Sequence, residues 1–178
     1  NRLDRGEFER FVRRELDWPR VRVYLAASLI CHRSEIEPDD FFYYRDHGTR
    51  RWLLIPWDHN NGNFGLHSPR RMAEPFMPLF GQSLEGHGRG GYWHVLPSRI
   101  FNVPALRREY LERVEELADS LLLSGRIDRM IDANFAAVRD DALADPGRWP
   151  PDSDERFLES AGALRAFVRE HGARIKRQ

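Results

Sequence analysis

A carboxylate followed by a run of amides near residue 60 has the side chains of a metal-binding loop. The segment combines short oxygen-bearing side chains with two glycines: Asp58, Asn60, Asn61 and Asn63, with Gly62 and Gly65. Carboxylate and amide oxygens suit a hard cation such as Mg²⁺. Glycine lets the backbone turn sharply or approach a ligand closely. We therefore predict that Asp58 binds a divalent cation.

The residues before this loop predict the element that positions it. Two short β-prone runs, rich in aromatic side chains, flank the turn-forming sequence Asp46-His47-Gly48-Thr49. The second run stops at Pro56, which cannot donate a hydrogen bond to a sheet. This pattern predicts a β-hairpin, with Asp58 placed where its second strand ends.

Several motifs together resemble the spore-coat CotH family of atypical protein kinases. They are Tyr24-Leu25-Ala26-Ala27, Asp39-Asp40-Phe41-Phe42-Tyr43-Tyr44, and Ile55-Pro56-Trp57-Asp58 with the closing Phe64-Gly65. The segments Pro78-Leu79-Phe80, Arg107-Arg108-Glu109-Tyr110, Leu164-Arg165-Ala166-Phe167-Val168 and Arg174-Ile175 are similar to the helical tail of that family. The Pro-Trp-Asp segment is the most specific of these matches.

The resemblance implies a set of site residues. Glu35 takes the position of the catalytic Asp, Asp40 that of a metal-binding Asn, and Asp58 matches the second metal-binding position unchanged; Asp39 replaces the usual His. With Asn60 as a further ligand, this set would bind Mg²⁺ or Mn²⁺ together with ATP and transfer the γ-phosphate to a protein substrate. The extra methylene of Glu35 displaces its carboxylate by about 1–1.5 Å, which can lower a rate about 100-fold. Asp40 adds a negative charge that favours metal binding.

Lysine content favours one lobe of such a kinase. Lys176 is the single lysine among 28 basic residues, and the sequence places it in the last turn of a terminal helix. Kinase-like sites normally hold the nucleotide with a lysine and a glycine-rich loop from the N-terminal lobe. We therefore expect residues 1–178 to form a single domain, a protein-kinase-like C-terminal lobe without the N-terminal nucleotide-binding lobe. The alternative is a degenerate pseudokinase lobe that acts as a protein-interaction or structural module.

Composition limits the classes of partner. The 28 basic and 28 acidic residues give zero formal charge, so no electrostatic footprint for nucleic acid is present. No apolar stretch reaches the roughly 18 residues that a membrane span needs. Cys31 ends an apolar run, which favours a small buried hydrophobic residue over a ligand or nucleophile. Family resemblance implies a bacterial cell surface, spore coat or secreted location.

Helical periodicity predicts an α+β fold that is mainly α. We expect a first helix with Phe8, Phe11, Val12 and Leu16 inward, and a second from Arg20 through Ile30 that is buried nearly all round. Residues 66–98 are expected to be irregular. Three further helices follow, at about 103–122, 126–139 and 154–175. Their expected inward residues are Leu106, Tyr110, Val114, Leu117 and Leu121; Ile127, Met130, Ile131, Phe135 and Val138; and Phe157, Ala161, Leu164, Phe167, Val168 and His171.

Two other interpretations of the polar residues have less support. His32, His59 and His67 lie near the acidic candidates, and a mixed histidine and carboxylate set could bind Zn²⁺, but their spacing matches no standard zinc signature. The string Gly86-His87-Gly88-Arg89-Gly90-Gly91 satisfies a dinucleotide-binding pattern. It lacks the preceding strand and following helix that this pattern requires, so we interpret it as a loop.

Overall fold

A computed structural model describes residues 3–31, 41–57, 95–145 and 153–177. Within these ranges the chain is mainly helical and has one two-stranded antiparallel sheet, which confirms the α+β, mainly α prediction. They belong to two compact units, Asn1–Glu115 and Glu116–Gln178. None of the described helices is both long and apolar enough to cross a membrane.

The elements follow one another along the chain in a simple order. The helices are α1 (Arg5–Glu15), α2 (Trp18–Ile30), α3 (Val95–Phe101), α4 (Pro104–Leu117), α5 (Arg126–Leu143) and α6 (Ser153–Lys176), and a π-helical segment, Ala118–Leu123, lies between α4 and α5. The strands are β1 (Phe41–Arg45) and β2 (Trp52–Pro56).

Helix α1 begins at a capping box. The Asp4 carboxylate accepts a hydrogen bond of 2.8 Å from the Glu7 backbone N–H, and the Glu7 carboxylate accepts one of 2.9 Å from the Asp4 backbone N–H. Two N–H groups that the helix itself cannot satisfy are thereby bonded. Phe8, Val12 and Leu16 are buried, as the spacing predicts.

Helix α2 is the most buried helix of the first unit. Eight of its thirteen residues are buried, which confirms the prediction of a helix with little exposed surface. It begins at Trp18 rather than at the predicted Arg20. The reason is the Asp17 cap, whose side chain accepts from the Arg20 backbone N–H, together with Pro19 in the first turn, where a missing N–H is harmless.

The hairpin forms where the sequence predicts it. β1 pairs antiparallel with β2, with Phe41 opposite Pro56 and Arg45 opposite Trp52. Asp46 Oδ1 closes the turn by accepting hydrogen bonds from the Thr49 backbone N–H at 2.6 Å and the Thr49 hydroxyl at 2.9 Å. This is the usual role of an aspartate at the start of a turn.

Part of the segment expected to be irregular is helical. Residues 95–98 belong to α3, while 66–94 lie outside the described residues. Pro97 is compatible with this helix because it occupies the third position of α3, where the helix has no earlier carbonyl for a backbone N–H to bond. Pro104 opens α4, as expected from its preference for a first helical position.

The buried positions after α4 differ from those that the periodicity predicts, in a segment that is π-helical. The periodicity predicts Leu117 and Leu121 inward, but Ala118 and Leu122 are the buried residues, at 0% and 2% exposure. A π turn takes one more residue than an α turn. The wider turn keeps Leu122 on the same side as Ala118, four residues earlier, and Ala118 itself follows the buried Val114 by four.

The second unit is formed by this segment with α5 and α6. In α5, Ile131 is buried as predicted, but Met130 and Val138 are about half exposed, so those two predictions are wrong. In α6, Ala161, Phe167, Val168 and His171 are buried as predicted. The His171 ring stacks on Phe167, with ring centroids 5.3 Å apart. Phe135 of α5 stacks on Phe157 of α6 at 4.8 Å.

Candidate metal centre

The hairpin register determines where the two candidate metal-binding segments attach. Phe41 is the first residue of β1 and Pro56 the last residue of β2, and they are partners in the antiparallel ladder. Asp40 precedes Phe41 by one position, and Asp58 follows Pro56 by two. Both segments therefore join the hairpin at the same end.

Backbone bonding fixes the hairpin to the junction between α1 and α2. The Asp17 N–H donates a 2.7 Å hydrogen bond to the Trp52 carbonyl, and Leu16 forms an isolated parallel bridge with Trp52. Because the same Asp17 caps α2, one residue sets both the start of that helix and the position of β2.

Side-chain packing adds to this attachment. Leu54 of β2 is buried, and the Phe41 ring meets the Tyr24 ring of α2 edge-on at 6.1 Å. Tyr24 belongs to the Tyr-Leu-Ala-Ala motif and Phe41 to the aromatic motif, so two of the sequence motifs meet in space. The hairpin is thus held on a buried helix, which is a rigid base for a binding loop.

Trp57, in the middle of Pro-Trp-Asp, lies at the surface. Its side chain is 59% exposed and meets the Phe42 ring edge-on, with centroids 5.5 Å apart. Phe42 is itself 52% exposed. The described part of this motif therefore contributes a surface aromatic pair at the end of the hairpin where Asp40 and Asp58 attach.

The side chains predicted to do chemistry lie outside the described residues. This holds for the catalytic candidate, the metal candidates, the histidines and the glycine-rich string: Glu35, Asp39, Asp40, Asp58, Asn60, His32, His59, His67 and residues 86–91. Among the residues that the structure does describe, no three His, Cys, Asp or Glu side chains cluster as a metal site would require. The predicted centre stays a prediction.

A comparison with models of protein families identifies the family of this chain. Residues 1–175 match the model described as CotH kinase protein, which is nearly the whole chain. The chain belongs to the CotH kinase family. The resemblance found in the Tyr-Leu-Ala-Ala, aromatic and Pro-Trp-Asp motifs is thereby confirmed. No curated protein matches the chain.

In this CotH kinase chain, Lys176 and Cys31 both lie at the ends of helices. Lys176 lies in the last turn of α6, as predicted, and its Nζ is 2.9 Å from Asp119 Oδ2. Cys31 caps the end of α2 and is a free cysteine of intermediate burial, more exposed than the buried hydrophobic position expected from the apolar run. A residue at a helix end has fewer neighbours than one inside the helix.

A charged cluster in the first unit was not predicted. Glu109 of α4 accepts hydrogen bonds from Arg13 Nη2 at 2.7 Å and from Trp18 Nε1 at 2.6 Å, and Arg22 Nη1 lies 3.9 Å away. Burial raises the pKa of Glu109, but the hydrogen bonds from Arg13 and Trp18 outweigh it and leave the pKa below its usual value. Glu109 stands in the Arg-Arg-Glu-Tyr motif, yet its partners are more than 85 positions away in sequence, so no local pattern reveals them.

Proposed function

We propose that this CotH family member is a metal-dependent protein kinase that transfers the ATP γ-phosphate to a protein substrate. The observation that carries the proposal is the hairpin register. The pairing of Phe41 with Pro56 ties the segments that bear Asp40 and Asp58 to one end of a hairpin anchored on α2. A kinase of this type needs two metal-binding positions to converge on one nucleotide.

Covalent reach is compatible with a shared metal. Cross-strand partners have Cα atoms about 5 Å apart, and consecutive Cα atoms are about 3.8 Å apart. The Cα atoms of Asp40 and Asp58 therefore lie within about 17 Å of each other by the chain path through Phe41 and Pro56. Both carboxylates can therefore reach one ion.

The donor set fits Mg²⁺ or Mn²⁺. Asp58 and Asp40 would supply carboxylate oxygens and Asn60 an amide oxygen, all of which suit hard cations. A cation would also relieve the repulsion between the two carboxylates. When bound, the metal would neutralise charge on the ATP phosphates.

Glu35 is the proposed acceptor-facing carboxylate. It follows the end of α2 by a few residues, on the connection that leads into β1. Its role would be to accept a hydrogen bond from the substrate hydroxyl and remove its proton during transfer. Since Glu is longer than the family's Asp, Glu35→Asp should preserve or raise the rate, and Glu35→Ala should lower it more than about tenfold.

Phosphate transfer by the full-length protein tests the proposal. The assay follows radiolabelled phosphate from [γ-³²P]ATP into protein, with Mg²⁺, Mn²⁺ or EDTA. We expect metal-dependent transfer that Asp58→Asn abolishes and that Asp141→Asn, a charge-matched change at an exposed position of α5, leaves intact. Transfer that continues in EDTA, or that Asp58→Asn does not reduce, would refute it.

A pseudokinase lobe is the second candidate. Glu35 in place of the family's Asp favours it. Such a protein would use its fold as an interaction or structural module. Metal binding at Asp58 with no phosphate transfer by wild type or by Glu35→Asp would support this function over catalysis.

A further inference from the structure

An arginine-lined cleft lies in the first unit, within α1, α2, α4 and the residue before β2. Its volume is about 290 Å³, and its lining residues are Arg13, Trp18, Pro19, Arg22, Arg51 and Glu109. It is formed entirely by described side chains and is separate in sequence from the predicted metal ligands. Three arginines and one carboxylate line it, so the lining has a formal charge of +2, from three positive and one negative group.

The arginines differ in how far they are already satisfied. Arg13 donates to Glu109 and also to Glu9, which binds it from outside the lining at 2.8 Å. Arg22 is held only at 3.9 Å from Glu109, which is longer than a hydrogen bond. In the described part of the chain, the Arg22 Nε is buried and has no hydrogen-bond acceptor.

Arg51 has even fewer interactions. Its backbone closes the hairpin turn, since its carbonyl accepts from the Asp46 N–H at 2.9 Å. Its side chain is exposed, and no residue in the described ranges forms an ion pair with its guanidinium. The guanidinium groups of Arg22 and Arg51 therefore line one cleft and both have N–H donors available for a ligand.

Glu109 connects the helices that line the cleft through its hydrogen bonds. Its two oxygens are used by Arg13 and by the Trp18 indole N–H, which joins α4 to α1 and to the start of α2. The Arg22 side chain keeps 30% of its surface exposed and lies beyond hydrogen-bond distance of Glu109, so its guanidinium can bind a further acceptor. Arginine's planar donors suit oxyanions, which they can bind through two parallel hydrogen bonds.

We propose that this cleft binds a phosphate monoester through Arg22 and Arg51. The doubly charged form of a phosphate monoester matches the +2 lining charge, whereas a carboxylate would neutralise only half of it. The cleft volume of about 290 Å³ is at the lower end for small-molecule sites, which suits one phosphate group with its attached atoms. The phosphate can belong to a phosphorylated side chain or to a free small molecule. The proposal does not depend on the metal centre.

Isothermal titration of the full-length protein without added metal tests this site. The probes are a phosphoserine peptide, the same peptide with unmodified serine, and inorganic phosphate. We expect the phosphoserine peptide to bind and the serine peptide not to bind. Tighter binding of the peptide than of inorganic phosphate would assign the ligand to a phosphorylated protein segment; equal affinity would assign it to the phosphate group alone, whatever carries it.

Substitutions of the lining arginines test whether the phosphate binds in this cleft. Arg51→Gln and Arg22→Gln should each weaken binding by about tenfold or more, the effect of losing one charge-assisted hydrogen bond. Arg14→Gln removes an equal charge from an α1 residue outside the lining and should change affinity less than about twofold. Asp58→Asn should leave phosphate binding intact, so a failed metal centre and a failed cleft give different results. Arg51→Gln is an exposed change and should not impair folding.

The pH dependence of the binding affinity gives an independent test of the site. The second ionisation of a phosphate monoester has a pKa of about 6, so affinity should rise between pH 5 and pH 7.5 as the dianion forms. Glu109 stays ionised through this range because its pKa is lowered, and the groups facing the ligand besides it are arginines, with Glu9 behind Arg13. Equal binding of the serine peptide, or unchanged affinity in both Arg22→Gln and Arg51→Gln, would overturn the proposal.

Discussion

Two glycines of α6 provide a matched test of the packing in the second unit. A methyl group at Gly172 would lie 2.9 Å from Leu123 Cδ2 and 3.1 Å from Leu122 Cβ. A methyl group at Gly162 would meet no atom of the described residues within 4 Å outside its own turn of helix. We expect Gly162→Ala to stabilise the protein and Gly172→Ala to lose that gain.

The two substitutions share one term and differ in another. Alanine stabilises a helix interior by about 0.8–1 kcal/mol relative to glycine, and this gain applies at both positions. Overpacking a filled site costs about 1–3 kcal/mol. Leu123 is 46% exposed and can rotate away, but Leu122 is buried and its Cβ moves only with the backbone. The cost at Gly172 should therefore lie near the lower end, about 1–2 kcal/mol.

Thermal and urea unfolding followed by circular dichroism measures this difference. In a protein of 178 residues, 1 kcal/mol corresponds to about 2–4 °C in Tm. Gly162→Ala should raise the free energy of unfolding by about 1 kcal/mol, and Gly172→Ala should fall about 1–2 kcal/mol below it. If both variants gain equally, α6 does not pack on the π-helical segment as described.

Three further predictions concern the first unit. Leu54→Ala should lower the free energy of unfolding by about 2–4 kcal/mol because it leaves a cavity beneath the hairpin. Ile55→Ala, at a 39% exposed position, should lower it by less than about 1 kcal/mol. Equal losses for the two variants in urea denaturation would contradict this packing. Because the pKa of Glu109 is lowered on folding, its stabilising contribution is present above its unfolded pKa of about 4.5 and is lost as pH falls through the folded pKa. Glu109→Gln should therefore weaken the loss of stability at acid pH, and the control Glu115→Gln should not. Identical plots of unfolding free energy against pH for the two variants would refute the role of the cluster. Arg50 has φ of 59°, so Arg50→Gly should raise the free energy of unfolding by about 0.5 kcal/mol, and a loss in Tm would show that the turn adopts another conformation.

Local signals were enough to predict several elements. The hairpin follows from alternating β-prone runs and an aspartate-led turn, and Asp46 bonds Thr49 as such a turn requires. The burial of α2 follows from its sequence because apolar residues occur on nearly all sides of the helix. In these cases the information lies within a few consecutive residues, where a sequence pattern can express it.

Other features depend on contacts that no local pattern contains. Ala118 and Leu122 are buried at a spacing of four that runs into a π-helical segment, which apolar spacing alone does not distinguish from an α-helix. Exposure of Met130 depends on which neighbours reach that face of α5. The Glu109 cluster joins residues far apart in sequence, so the arginine cleft became visible only in three dimensions.

Metal binding by Asp58 is the central claim of the proposed function. Isothermal titration of the full-length protein with Mn²⁺ and Mg²⁺, with and without ATP, tests it most directly. We expect wild-type protein and Asp141→Asn to bind the metal with equal affinity, and Asp58→Asn to lose that binding together with any metal-dependent rise in Tm. If wild-type protein binds neither ion in the presence of ATP, or if Asp58→Asn binds as tightly as wild type, the metal centre is not at Asp58.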